Sequence, residues 1–176
     1  TDDNVLRQTT ARLPWLLIGM IGGIGNSMIL GNFDSTFAAH PEMALYIPLI
    51  GGTGGNVGTQ SSAIIVQGLA NSSLDAKNTF KQITKESVVA LINATIISLL
   101  VYTYNFIRFG ATATVTYSVS ISLFAVVMFA SIFGTLVPMT LEKLKIDPAI
   151  ATGPFIAITN DIIGMMLYMG ITVLLS

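Results

Sequence analysis

Residues 88–107 read VVALINATIISLLVYTYNFI, a run of about 20 residues without a charged side chain. A helix of this length crosses the hydrocarbon core of a bilayer, which is about 30 Å thick. The segment therefore predicts a transmembrane helix. A soluble protein of this size has no core large enough to cover several such helices, so recurrence of the pattern would exclude a soluble bundle.

The pattern recurs in four further stretches, residues 13–33, 44–70, 113–138 and 151–176. Charged residues make up 10% of the 176 residues, against about 25% in a typical soluble domain. We therefore predict an all-α integral membrane protein with five transmembrane helices. Pro14 is expected to open the first helix and Pro148 to start the fifth, because the first helical turn tolerates proline.

The transmembrane domain is expected to cover residues 13–176, preceded by a cytoplasmic segment of residues 1–12. Because the chain begins at Thr1 without a Met, we interpret that segment as the remnant of a linker to a missing cytosolic region. Residues 141–147, LEKLKID, are typical of a short amphipathic turn at the membrane interface.

The basic residues predict the orientation. Arg108 alone falls on one side of the five predicted spans, and the other seven fall on the opposite side: Arg7, Arg12, Lys77, Lys81, Lys85, Lys143 and Lys145. The side rich in Lys and Arg is cytoplasmic in most membrane proteins. We expect a cytoplasmic N-terminus and an extracytoplasmic C-terminus in a cell membrane.

Several functional classes find no support in the sequence. There is no cysteine, which excludes disulfides, thiolate nucleophiles and cysteine metal sites. The formal net charge of −1 gives no reason to expect nucleic acid as a partner. The single histidine, His40, lies in a predicted loop, and no arrangement of catalytic residues accompanies it. We predict that the chain is not an enzyme.

The second predicted span carries an unusual glycine-rich stretch, PLIGGTGGNVGTQSS, at residues 48–62. On a helix, steps of three and four residues produce small-residue faces and a neighbouring polar arc. The small-residue faces comprise Gly51, Gly54, Gly55, Gly58 and Ser62, and the polar arc comprises Asn56, Thr59 and Gln60. Such faces favour close helix packing in membranes. The alternative is a polar lining, in which the backbone near the glycines faces water or an ion.

Asp161 is the one acidic residue predicted near the middle of a span. An ionised carboxylate there costs about 2.5–3.5 kcal/mol, and no basic residue in any span neutralises it. Protonation with a hydrogen bond to Asn56 or Gln60, a water-filled cavity or a bound cation would each compensate. The last two are favoured by a stripe of mostly small residues around the acid, formed by Gly153, Ala157, Asp161, Gly164 and Tyr168.

Three segments together resemble the membrane domain of the MgtE family of magnesium channels. The first is RLPWL at residues 12–16. The second is IPLIGGTGGNVGTQSS at residues 47–62, followed by GLA at residues 68–70. The third is DPAIATGP at residues 147–154, which continues to DIIG at residues 161–164 and LY at residues 167–168.

The resemblance implies a homodimer in a lipid membrane, with a pore between the subunits lined by spans two and five. It implies that Asp161 binds the ion, assisted by the backbone carbonyl of Ala157. The candidates for lining the pore are Gly54, Gly55, Asn56, Gly58, Thr59, Gly153 and Gly164. The implied cargo is Mg²⁺, with Mn²⁺ or Co²⁺ as further possible ions.

The function expected from these residues is passive, voltage-driven passage of Mg²⁺. A mostly hydrated Mg²⁺ suits one or two carboxylates supplemented by carbonyls. The alternatives are a Na⁺- or H⁺-coupled Mg²⁺ exchanger that uses the same carboxylate, and a membrane scaffold that uses the glycine faces for assembly. Dependence of uptake on an ion gradient would favour the exchanger, and transport that survives removal of Asp161 would favour the scaffold.

Overall fold

The computed structural model describes residues 2–75, 78–151 and 153–176, and these ranges contain helices and no strand. In chain order the α-helices are α1 (Asp2–Gly31), α2 (Asp34–Ala39), α3 (Ile47–Ala70), α4 (Thr79–Phe109), α5 (Thr114–Lys143) and α6 (Pro154–Leu175). Short 3₁₀ helices at Pro41–Tyr46 and Pro148–Ala151 lead into α3 and towards α6. The all-helical prediction is confirmed for this part of the chain.

Four helices within the described ranges are long and apolar enough to cross a membrane, namely α1, α4, α5 and α6. They correspond to four of the five predicted spans. Helix α3 has 24 residues, a length of about 36 Å, and so could also cross a bilayer. Its glycines and its Asn, Thr and Gln side chains lower its mean hydropathy, so it is not among the four.

The structure corrects the predicted helix ends at the prolines. Pro14 does not open α1 but lies inside it, and Pro138, where the fourth span was expected to end, lies inside α5. A proline removes one backbone donor, and a helix flanked by good hydrogen-bonding turns continues through it. The 3₁₀ helix that starts at Pro148 ends at Ala151, and α6 begins at Pro154 instead of residue 151.

The polar and basic segments also differ in part from expectation. Residues 2–12, predicted as a separate cytoplasmic segment, continue α1 without a break, and the hydroxyls of Thr9 and Thr10 bond to backbone carbonyls one turn earlier. The predicted turn at residues 141–147 begins later, because α5 extends to Lys143. Lys77 lies outside the described residues.

Side-chain contacts give the directions of the helices. Ser118, early in α5, donates a hydrogen bond to Thr172, late in α6 (3.0 Å), so these two helices are antiparallel. Ser61, late in α3, donates to Glu86, early in α4 (2.9 Å), so α3 and α4 are also antiparallel.

Helix α3 is likewise antiparallel to α6. A Cβ added at Gly164 would lie 3.9 Å from the side chain of Ile50, and one added at Gly58 would lie 3.1 Å from that of Ile156. Because α5 and α3 both oppose α6, α3 runs parallel to α5, a helix that is long and apolar enough to span a membrane. The helices α3 to α6 therefore alternate in direction, as consecutive membrane spans do.

The largest apolar cluster lies where α3 and α5 begin and α6 ends. Its fully buried members include Met43, Ile50, Leu123 and Tyr168. The Tyr168 hydroxyl donates to the backbone carbonyl of Met43 (2.7 Å), which fixes the 3₁₀ helix Pro41–Tyr46 onto the helix ends.

Tyr46, the last residue of that 3₁₀ helix, donates its hydroxyl to Asn105 of α4. Burial, and secondly the nearby Tyr104, raises the pKa of Tyr46 above its ordinary value. The Tyr46 hydroxyl therefore remains a hydrogen-bond donor at neutral pH. This bond and the Tyr168 bond together hold the loop between α1 and α3 against the bundle.

Replacing Tyr168 by Phe should lower the free energy of unfolding by about 1 kcal/mol, because the buried hydrogen bond to Met43 is lost while the ring remains. Thermal unfolding in detergent would measure the change. Tyr102→Phe, at an exposed position of α4, is the matched control and should leave the melting temperature unchanged. Equal shifts in the two variants would contradict the role given to the Tyr168 bond.

Candidate functional site

Glycines set the contact between α3 and its neighbours. A Cβ at Gly58 would collide with the amide of Asn160, a residue of α6 that is 1% exposed. A Cβ at Gly134 of α5 would lie 2.5 Å from the carbonyl oxygen of Gly58 and 3.2 Å from the Cβ of Ser61. The backbones of α3, α5 and α6 can come this close only because these side chains are missing, as is common in membrane bundles.

Asp161 of α6 is half-buried beside the glycine-rich helix. Its Oδ1 lies 3.4 Å from the position of a Cβ at Gly51 and 3.8 Å from one at Gly55. Two successive turns of α3 therefore present bare backbone to the carboxylate. Larger residues at these positions would fill the space next to the charge.

No described residue neutralises this carboxylate. Among the described residues the Asp161 carboxylate accepts no hydrogen bond and forms no ion pair. The ion pair within the described ranges joins His40 to Glu42 at 3.9 Å, in the segment between α2 and α3. The hydrogen bond to Asn56 or Gln60 that the sequence allowed is not formed, since both side chains are exposed on another face of α3. The cost of placing a charge at membrane depth is therefore not offset by the described part of the chain.

The uncovered face of α3 differs from those of the other long helices. Gly52, Asn56, Gln60 and Gln67 are exposed along it, and Ile64 is its one exposed large hydrophobic residue. The exposed faces of α1 and α4 carry many Leu, Ile, Val and Met side chains, as lipid contact requires. Amide side chains do not favour contact with lipid tails, so this face of α3 suits water or protein.

The predicted pore-lining residues fall into two groups. Gly54, Gly58 and Gly164 are buried within the chain, and a Cβ added at Gly54 or Gly164 would lie 2.8 Å or 3.8 Å from the side chain of Val126 in α5. Gly55 faces Asp161, and Asn56 is exposed. The stripe predicted on α6 likewise contains both buried and accessible residues. Gly164 and Tyr168 are buried, whereas Asp161 is half-exposed.

The remaining candidates are Thr59, in the middle of α3, and Gly153 and Ala157, at the start of α6. Thr59 donates its hydroxyl to the carbonyls of Gly55 (2.9 Å) and Asn56 (3.1 Å). Gly153 is exposed and caps α6 with a φ of 87°, a conformation that favours glycine. Ala157 is half-buried one turn before Asp161. In a regular helix its carbonyl accepts the Asp161 backbone N–H, and one lone pair remains for a further donor or a cation.

The sequence reasoning missed the contribution of α1. A cavity of about 70 Å³ lies between α1 and α6, lined by Gly19, Gly22, Gly23, Asn26, Ile158 and Asp161. The α1 residues that line the cavity repeat at steps of three and four. This spacing, which places them on one face of a helix, is the sequence feature that could have indicated their role. The Asp161 carboxylate therefore has α3 backbone on one side and a small polar cavity on another.

This arrangement can attract a hard cation but cannot enclose one. The described ranges contain no group of three or more His, Cys, Asp or Glu residues placed to hold a metal ion. The oxygen ligands near the site are the Asp161 carboxylate, backbone carbonyls and the Asn26 amide oxygen, which lines the same cavity. An ion held here would keep waters in its shell, which is the usual condition of Mg²⁺ bound to proteins.

Comparison with known proteins identifies the family to which the chain is similar. Residues 47–171 match the family model MgtE, described as a divalent cation transporter. The chain is 33% identical to the magnesium transporter MgtE of Bacillus subtilis over 91% of its own length and 35% of that protein. It is 33% identical to the protein of the same name from Thermus thermophilus, over 94% of its own length and 36% of that protein.

A third relative, the magnesium transporter MgtE of Enterococcus faecalis, is 30% identical over 96% of this chain and 37% of its own length. The chain thus spans about a third of the length of the relatives that it matches.

Gly134→Ala should destabilise the bundle by about 1–3 kcal/mol, because the new methyl group would force α5 away from the Gly58 carbonyl. A lower temperature of thermal unfolding in detergent would show it. Gly52→Ala is the control, since a Cβ there meets nothing within 4 Å. If Gly134→Ala melted at the temperature of the Gly52→Ala variant, the close approach of α3 and α5 would be refuted.

Proposed function

The chain belongs to the MgtE family of divalent cation transporters, and we propose that it is the ion-conducting part of a passive Mg²⁺ channel. The observation that carries the proposal is the position of Asp161. Its carboxylate has no described counter-charge, and it faces the bare backbone of α3 at Gly51 and Gly55. A cation in transit would supply the missing compensation.

The conducting unit in this proposal is a homodimer. One chain supplies a single carboxylate and leaves the polar face of α3 uncovered. Two copies that meet near α3 and α6 would bring two Asp161 residues to one aqueous path and shield Asn56 and Gln60 from lipid. Two carboxylates with several retained waters form a site that suits Mg²⁺.

The ion would be assisted at this position by backbone oxygens. The Ala157 carbonyl, one turn before Asp161, is the proposed second ligand or a partner for a coordinated water. Gly55, Asn56, Thr59 and Gly153 are proposed to line the path. The buried glycines Gly54, Gly58 and Gly164 would support it by holding the three helices close together.

A membrane potential that is negative inside suffices to drive entry. It supplies about 2.3 kcal/mol per charge per 100 mV, or about 4.6 kcal/mol for a divalent ion. Mn²⁺ and Co²⁺ would pass as further ions because the site holds a partly hydrated ion through oxygen donors and does not enclose it.

We also propose five membrane spans with a cytoplasmic N-terminus. Helix α3 runs parallel to α5 and has sufficient length, so it would be the second span in chain order and would bring the total to five. The alternating directions of α3 to α6 bring the Lys81 and Lys85 end of α4 to the same side as Lys143 and Lys145. That basic side would be cytoplasmic.

The proposal is tested by Mg²⁺ uptake into proteoliposomes that contain this chain, with an imposed voltage and no Na⁺ or H⁺ gradient. Asp161→Asn and Asp161→Ala should each reduce uptake by at least tenfold, because the charge that binds the ion is removed. Asp34→Asn makes the same chemical change at an exposed residue of α2 and should retain most of the uptake.

Two outcomes would contradict the proposal in different ways. Uptake that requires a Na⁺ or H⁺ gradient would establish a coupled exchanger. Normal uptake by both Asp161 variants would show that the ion does not depend on this carboxylate.

A further inference from the structure

We propose that Asn26 of α1 is a positioning residue for the transported cation. In this proposal its side-chain oxygen accepts a hydrogen bond from water in the shell of an ion at Asp161. The inference rests on the proposed function and deepens it, since it assigns to α1 a part in recognising the hydrated ion.

The first observation is the shared cavity. Asn26 and Asp161 both line the space of about 70 Å³ between α1 and α6. A buried water needs only about 10–15 Å³ of such volume, so the cavity has room for more than one. Its other lining residues are three glycines and Ile158, and none of these offers a polar side chain.

The second observation is the state of the Asn26 amide. Its Oδ1 is buried and has no hydrogen-bond partner among the described residues. A buried amide oxygen without a partner is unfavourable by about 1–3 kcal/mol. Leu or Met at this position would avoid that cost, as they do elsewhere on α1. The oxygen therefore requires a donor that the described chain does not provide.

The helix contact explains why Asn26 reaches this position. A Cβ at Gly22 would collide with the Ile158 side chain, so glycine is what allows α1 to approach α6. Asn26 follows Gly22 by four residues, about one turn, and so lies on the same face of α1. Asp161 follows Ile158 by three residues on α6. The close contact thus positions both polar side chains around the cavity.

The chemistry of the expected ion matches this geometry. Mg²⁺ gives up water reluctantly, so an ion at Asp161 would carry waters whose hydrogens point outward as donors. The carboxylate of Asp161 can accept some of these hydrogens or bind the ion directly. Asn26 Oδ1 is a neutral acceptor on the α1 side, which orients the shell without adding a second charge.

The experiment compares Asn26→Leu, which keeps the size of the side chain but has no acceptor, with Asn26→Asp, which keeps acceptor oxygens. Both are assayed in the proteoliposomes described above. The first readout is the Mg²⁺ concentration that gives half-maximal uptake. The second is inhibition of uptake by cobalt(III) hexaammine, whose inert ammine ligands can be bound only through hydrogen bonds and charge.

Asn26→Leu is expected to raise the half-maximal Mg²⁺ concentration and to weaken inhibition by cobalt(III) hexaammine, each by about tenfold, since one charge-assisted hydrogen bond is lost. Asn26→Asp should raise neither the half-maximal Mg²⁺ concentration nor the inhibitory concentration of cobalt(III) hexaammine, because it keeps acceptor oxygens and adds a negative charge beside the cation. The matched control is Asn93→Leu, on the exposed side of α4, which should change neither value.

The outcomes separate this inference from the function on which it rests. If Asp161→Asn abolishes uptake while Asn26→Leu leaves both readouts unchanged, the channel stands and the role of Asn26 is refuted. A lower maximal rate of Asn26→Leu with unaltered inhibition would also refute it, because that result indicates a purely structural position. An unmodified chain that cobalt(III) hexaammine does not inhibit, or that takes up no Mg²⁺, overturns the inference as well.

Discussion

A carboxyl group within a long apolar helix, without a basic partner among the described residues, is the constraint on which the rest of the structure depends. Asp161 would cost about 2.5–3.5 kcal/mol in an apolar span, and the described chain offers it neither a counter-charge nor a hydrogen-bond donor. It offers space instead. Backbone at Gly51 and Gly55 leaves room on one side, and the cavity beside α1 leaves room on another. Room next to an uncompensated charge suits water and a mobile cation better than a permanent internal partner.

The glycine-rich helix serves two purposes, one on each face. At Gly58 the absence of a side chain allows Asn160 and the α5 backbone at Gly134 to approach, which holds three helices together. At Gly51 and Gly55 the same absence keeps the space by Asp161 open. The sequence suggested close packing and a polar lining as alternatives for this stretch. The structure supports packing on one face of α3 and leaves the other face polar and uncovered.

The sequence predicted the all-helical class of fold and the location of Asp161 within a long apolar helix, because both depend on local composition. Long apolar runs identify membrane helices, and a lone acid within one stands out. The helix ends at Pro14 and Pro138 were predicted wrongly, since proline propensities from soluble proteins understate how strongly a membrane helix keeps its remaining hydrogen bonds. The role of Asn26 was not predicted. Its significance depends on the crossing of α1 with α6, and spacing along one helix does not reveal which helix will face it.

The uncovered surfaces give the final argument for an assembly. Helix α1 packs against α6 and exposes a mostly apolar surface, which a lipid environment accommodates. Lipid tails offer no hydrogen-bond partners to the exposed amide side chains of Asn56, Gln60 and Gln67 on α3. Contact between these amides and lipid is therefore unfavourable. A second copy with the same face would enclose a polar path between the two α3 helices, with the carboxylates close to it. In the proposed function, the features that leave one chain with an incomplete ion site also leave amides of α3 without partners, and a single association would remedy both.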